Sequence, residues 1–118
     1  MLEKFEDLQG CILSSVEKNN DELIFTLQNG EQYKLYHSQY CCEDVYIEDI
    51  NGNLDDLTGS PILMAEEINN ADRKPISDYE ESYTWTFYKL ATVKGYVTIR
   101  WYGSSNGYYS EEVDFVRC

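Results

Sequence analysis

The chain has one histidine, His37, and a little further on two adjacent cysteines, Cys41 and Cys42, followed directly by Glu43 and Asp44. These residue types suit zinc or a thiolate nucleophile. A structural zinc site, however, draws on ligand pairs such as CxxC, whose spacing lets two thiolates reach one ion. Adjacent cysteines in an extended chain diverge, and no second pair lies nearby. A reactive thiolate needs a positive surrounding, and two neighbouring acids disfavour the anion. His37, Cys41 and Cys42 are therefore weak candidates for a metal or thiol site and fit the end of a strand better. Cys11, Cys41, Cys42 and Cys118 are all expected to be reduced, because chain neighbours rarely bond to each other and nothing points to an oxidising compartment.

Asp49, Asn51, Asn53 and Asp55 stand at alternate positions, as at the start of a calcium-binding EF-hand loop. The pattern departs where it matters. Gly52 occupies the fourth position instead of the sixth, and Ser60 stands where a bidentate Glu belongs. Turn formation explains the Asn, Gly and Asp content better. The pairs Asp55-Asp56 and Glu66-Glu67 do not converge as an acid–base dyad would, since adjacent side chains on a strand or helix point apart. No GxGxxG, Walker loop, GxSxG or HExxH is present. No cofactor is expected, and the chain does not read as an enzyme.

What remains is charge. Nine basic and twenty-two acidic residues give a net charge of −13, which opposes direct contact with nucleic acid or an anionic membrane. Most of the excess lies in residues 43–81. A solvated surface that keeps a small protein soluble is the plain explanation. The functional one is a negative patch, Glu43, Asp44, Glu48, Asp49, Asp55, Asp56, Glu66 and Glu67, that docks on a basic groove with carboxylates where phosphates would sit.

The elements that must position these groups read mostly as strands. At 118 residues, with two tryptophans, eleven tyrosines and four phenylalanines, one domain spanning 1–118 with a single core is expected. "CILSSVE" (11–17), "ELIFTLQ" (22–28) and "EQYKLYH" (31–37) are strands. A three-residue loop from Asn29 to Glu31, with Gly30 at positive φ, places Phe25 opposite Leu35 and Leu27 opposite Tyr33. "SYTWTFYKLA" (82–91) and "YVTIRWYG" (96–103) alternate. A three-residue loop from Val93 to Gly95 pairs Phe87 with Trp101, and one at 105–107 pairs Ile99 with Val113 and Val97 with Phe115 in a closing strand, 108–116. The other face then carries Thr84, Thr86, Tyr88, Thr98, Arg100 and Tyr102, with Tyr88 across from Arg100. In the middle, "DVYIEDI" is a short strand, "NLDDLTG" a helical turn stopped at Gly59, and "PILMAEEI" a strand or a two-turn helix. Residues 69–81 are polar and form a long mobile loop. The fold class is α+β: predominantly antiparallel β-sheet, six to eight strands, with one or two short helical segments in the middle third.

"HSQYCCEDVYIEDINGNLDDLTGSPILMAEE", followed by "YTWTFYKLATVKGYVTIRWYGSSNGYYSEEVDF", resembles a family of small proteins encoded by bacteriophages and prophages and known only as a domain of unknown function. The resemblance spans about residues 10 to 115. It brings no catalytic or ligand residues, and implies an accessory protein made inside an infected bacterium. Small acidic phage domains often resemble inhibitors of host defence, of the anti-CRISPR or anti-restriction type, that imitate the charge of nucleic acid.

The leading expectation is thus a non-enzymatic, cytoplasmic inhibitor whose acids occupy the nucleic-acid-binding site of a basic host protein. An alternative is a nucleotide-binding or sponge protein with Tyr88, Tyr96, Arg100, Tyr102 and Tyr108 as its surface, Arg100 meeting a phosphate and tyrosines stacking a base. A second alternative is a thiol- or metal-dependent enzyme at His37, Cys41 and Cys42.

Overall fold

Leu23, Phe25 and Leu27 are buried while Glu22, Ile24 and Thr26 between them are not, and this period of two sets the first sheet. Four strands, β1 (Leu13–Asn19), β2 (Glu22–Leu27), β3 (Gln32–Tyr36) and β8 (Asp114–Arg117), pair in the order β1-β2-β3-β8. A second sheet pairs β4 (Asp44–Asn51), β5 (Met64–Asn69), β6 (Ser82–Thr92) and β7 (Gly95–Ser105) in the order β4-β7-β6-β5. All named pairings are antiparallel. The computed structural model describes residues 1–69, 74–77, 79 and 81–118. The expected 69–81 loop therefore falls partly outside the described residues.

The two sheets enclose one core. Leu23, Phe25, Tyr33 and Leu35 from the first meet Tyr88, Leu90, Val97, Ile99 and Trp101 from the second. Each of these leucines, fully buried, contributes about 1.5–3 kcal/mol over an exposed position. A 3₁₀ turn at Phe5–Leu8 adds Phe5, whose ring meets Phe25, Tyr88 and Phe115 edge-on at 6.2, 4.7 and 5.9 Å. Tyr33 stacks on Phe115 at 5.3 Å. The second 3₁₀ turn, Leu54–Leu57, is the expected turn before Gly59, and the Asn53 side chain caps it by accepting from the Asp55 N–H. The α+β label is thus corrected. The described residues are β-structure with two short 3₁₀ turns, one of them outside the middle third, and 64–69 is a strand.

Both edge strands nearest the chain's start in each sheet, β1 and β4, carry a bulge. The sequence explains why. Leu13 and Val16 must both face inward although three positions apart, and Ser14 is the extra residue. In β4, Val45, Ile47 and Ile50 face the core. Glu48 takes up the extra position, so that Ile50 lies opposite Ile99 and Asp49 opposite Arg100.

Three register expectations change. The β2–β3 loop has three residues, but it is Gln28 to Gly30: Phe25 lies opposite Tyr33 and Leu23 opposite Leu35. The two-residue shift keeps every side chain on its expected face, and Gly30 does adopt positive φ. The β6–β7 turn is two residues, Val93 and Lys94, with Thr92 opposite Gly95. That one-residue slip exchanges the faces of β6 relative to β7. Phe87 now lies opposite Arg100, and Tyr88 opposite Ile99 in the core, so the Tyr88–Arg100 contact does not form. Both faces of these strands carry aromatics, so alternation alone could not choose. The closing strand also leaves β7: Phe115 lies opposite Leu35 in the first sheet, because residues 106–113 cross from one sheet to the other.

Candidate functional site

The β6–β7 register decides what lies beyond the core. Along the inner face, Leu90, Tyr88, Val97, Ile99 and Trp101 give way to Thr86, Thr84 and Ser82 on β6 and to Gly103 and Ser105 on β7. The first sheet does not cover this polar end. The crossover 106–113 does, and it lies so close that a Cβ on Gly103 would stand 3.0 Å from the Glu111 backbone oxygen. Glu111 is buried, accepting from the Thr84 hydroxyl at 2.8 Å and the Ser105 hydroxyl at 2.5 Å. Between the crossover and the β5–β6 edge a cavity of about 590 Å³ opens, walled by Glu67, Asn69, Ser82, Thr84, Thr86 and residues 109–113.

His37 and Glu43 hold the other crossover, 37–43, to this one. His37 Nε2 lies 2.7 Å from a Glu43 carboxylate oxygen and Nδ1 lies 2.7 Å from the Glu112 carbonyl oxygen. The same carboxylate accepts from the Tyr40 and Cys41 N–H groups, both at 2.9 Å. The Cys41 N–H above all, with His37 and Tyr40, holds the Glu43 carboxyl down at about 2 against the opposing effect of burial. Cys41 and Cys42 are joined as a disulfide, which corrects the expectation of reduced thiols there. The turn clamped by Glu43 folds the chain so that neighbouring side chains converge. Cys11 and Cys118 are free. Both His37 nitrogens are thus engaged with acceptors, and among the described residues no group of His, Cys, Asp or Glu is arranged to hold a metal ion.

The eight acids expected to form one patch do not share a face. Glu43 is buried in the clamp. Asp44, Glu48 and Asp49 lie on β4, at one edge of the second sheet; Glu66 and Glu67 lie on β5, at the other, three strand spacings or roughly 14 Å away. Glu67 accepts from the Tyr88 hydroxyl at 2.8 Å, and Glu66 lies opposite Lys89. Asp55 and Asp56 belong to the 3₁₀ turn, with Asp56 against the β6–β7 turn at Gly95. Sequence order is a poor guide here because antiparallel pairing places β4 and β5 on either side of β6 and β7. Asp21, from the first third of the chain, is a more relevant neighbour: its carboxylate accepts from Ile47 N–H at the β4 bulge. The β4 edge therefore carries Asp21, Asp44, Glu48 and Asp49. Arg100 reaches over from β7, bonded through Nε to Glu48 and lying 3.8 Å from Asp49.

The Tyr/Arg set is also divided. Tyr88 is in the core. Tyr102 is buried on the outer face, where its oxygen accepts from Ile76 N–H and its ring lies 4.5 Å from Trp85. Tyr96 is exposed near the start of β7 and Tyr108 is exposed beyond its end, in the crossover 106–113. Arg100, beside Trp85 and held by Glu48, is the member already committed to acids. Glu111 and Asp21 were not legible as site residues. The polar run Ser110-Glu111-Glu112 inside an expected strand was the signal that this segment crosses over instead of pairing with β7.

A family model, a domain of unknown function (DUF7448), matches residues 6–115. The chain belongs to that family. No curated protein and no solved structure matches it. No helix of the described residues is long and apolar enough to cross a membrane.

Proposed function

We propose that this domain is a non-enzymatic accessory protein of the kind phages and prophages encode, and that it inhibits a host defence by seating the acidic β4 edge on the nucleic-acid-binding surface of a basic host protein. The observation that carries this is the meeting of Asp21 with the β4 bulge, beside Glu48 and Asp49. It brings an acid from the turn between β1 and β2 onto the β4 edge, to which Asp44 also belongs. The overall charge of −13 adds long-range steering toward a cationic partner. The docking set is accordingly Asp21, Asp44, Glu48 and Asp49 instead of the eight acids of the middle third.

The test is capture of a partner from a bacterial lysate with tagged protein, identified by mass spectrometry. Expected is a basic nucleic-acid-binding protein whose capture falls steeply with salt, as the screening length shrinks from about 10 Å at 0.1 M to about 3 Å at 1 M. The combined variant Asp21→Asn, Asp44→Asn, Glu48→Gln, Asp49→Asn should lose it, and Glu66→Gln with Glu67→Gln should keep it. Salt-insensitive capture, or equal loss in both variants, refutes the edge-docking assignment.

A further inference from the structure

The polar cavity has a chemistry that edge docking does not use. Its wall includes Glu67, Glu111 and Glu112 together with Thr84, Thr86 and Tyr109, and no basic residue among the described residues lines it. Glu111 is only 9% exposed, and among the described residues it has hydroxyl donors but no ion-pair partner. A buried carboxylate held by neutral groups alone retains most of its desolvation cost, which a cation arriving in the cavity would offset. Each of its oxygens takes one hydrogen bond from the protein, and a carboxylate can accept about four in all.

Three features narrow the ligand. About 590 Å³ is within the ~300–1,000 Å³ range of small-molecule sites and large for a single ion. The carboxylates do not gather as a metal-holding group, so the negative charge is spread along the wall. Among the described residues that wall offers no cationic donor, which disfavours phosphates and nucleotides. The geometry points to a binding site for a small organic polyamine, a flexible chain with two or three ammonium groups, each meeting one carboxylate and neighbouring hydroxyl or carbonyl oxygens. Glu111 binds the most deeply seated ammonium; Glu67 and Glu112 receive the others nearer the mouth.

Calorimetric titration of the intact domain with spermidine, with putrescine as the shorter probe, tests this at fixed ionic strength. Saturable one-to-one binding of spermidine is expected, with at least tenfold weaker binding in Glu111→Gln and again in Glu112→Gln. Glu112 is exposed, so its variant keeps the test valid if loss of the Glu111 charge disturbs folding. Glu48→Gln with Asp49→Asn should change affinity less than twofold, and amide shifts on binding should centre on Thr84 and Thr86. No saturable binding, or equal weakening by the β4-edge variant, overturns the assignment and shows at most non-specific attraction to an acidic protein. Neither outcome bears on partner capture, which depends on the β4 edge.

Discussion

His37 and Glu43 form a buried pair, 2.7 Å between Nε2 and the carboxylate, with side chains only 4% and 0% exposed. The other imidazole nitrogen faces the Glu112 carbonyl oxygen. This one contact ties the crossover into the second sheet, 37–43, to the crossover out of it. Removing His37 takes away the charge-bearing partner of the buried Glu43 carboxylate, and removing Glu43 strips the buried His37 Nε2 and the Tyr40 and Cys41 N–H groups of their acceptor. His37→Ala or Glu43→Ala should therefore destabilise the fold by about 3–5 kcal/mol. In urea unfolding, the double variant should cost clearly less than the two single costs added, and strict additivity would show that the pair is not coupled.

The clamp also fixes a dependence on pH. The Glu43 carboxyl is lowered from its ordinary 4.5 to about 2, so between these values the unfolded chain binds the extra proton. Its contribution is complete above pH 4.5, falls as pH drops toward 2, and is gone below that. Chemical unfolding from pH 7 to 2 should show wild type losing its advantage over Glu43→Gln across that window. A constant difference would refute the clamp.

The register of β6 on β7 makes a contrast between neighbours. Tyr88 is buried in the core with its hydroxyl on Glu67, while Phe87 faces outward. Tyr88→Ala should cost about 3–5 kcal/mol and Tyr88→Phe about 1 kcal/mol, the latter for the hydrogen bond alone. Phe87→Ala should cost less than half as much as Tyr88→Ala. The reverse order in thermal or urea unfolding would restore the register read from alternation.

Glu48 fills the β4 bulge. Deleting it leaves Val45, Ile47 and Ile50 in regular alternation, so the fold should survive with a loss of about 1–2 kcal/mol, including the exposed pair with Arg100. Deleting Tyr46 instead would turn Val45 or Ile47 outward. Circular dichroism and unfolding should find the first variant folded and the second not.

Local pattern was legible in the sequence because period-two alternation is imposed by the backbone itself. It showed in β2, β3 and β4, in the positive-φ Gly30, and in the turn before Gly59. The partner of each strand was not, because pairing depends on which face another layer covers. Trp85 looked like an inward residue and Tyr102 like a member of the opposite, polar face; both are buried on the outer face, where Trp85 donates to the Lys74 carbonyl and Tyr102 accepts from Ile76. The same holds for charge. Composition and local alternation together determined an acidic β-rich domain, but only tertiary pairing decided that Glu43 is a clamp, that Asp21 joins the β4 edge, and that Glu111 lies over a cavity, because carboxylates far apart in the chain become neighbours only once strands choose their partners.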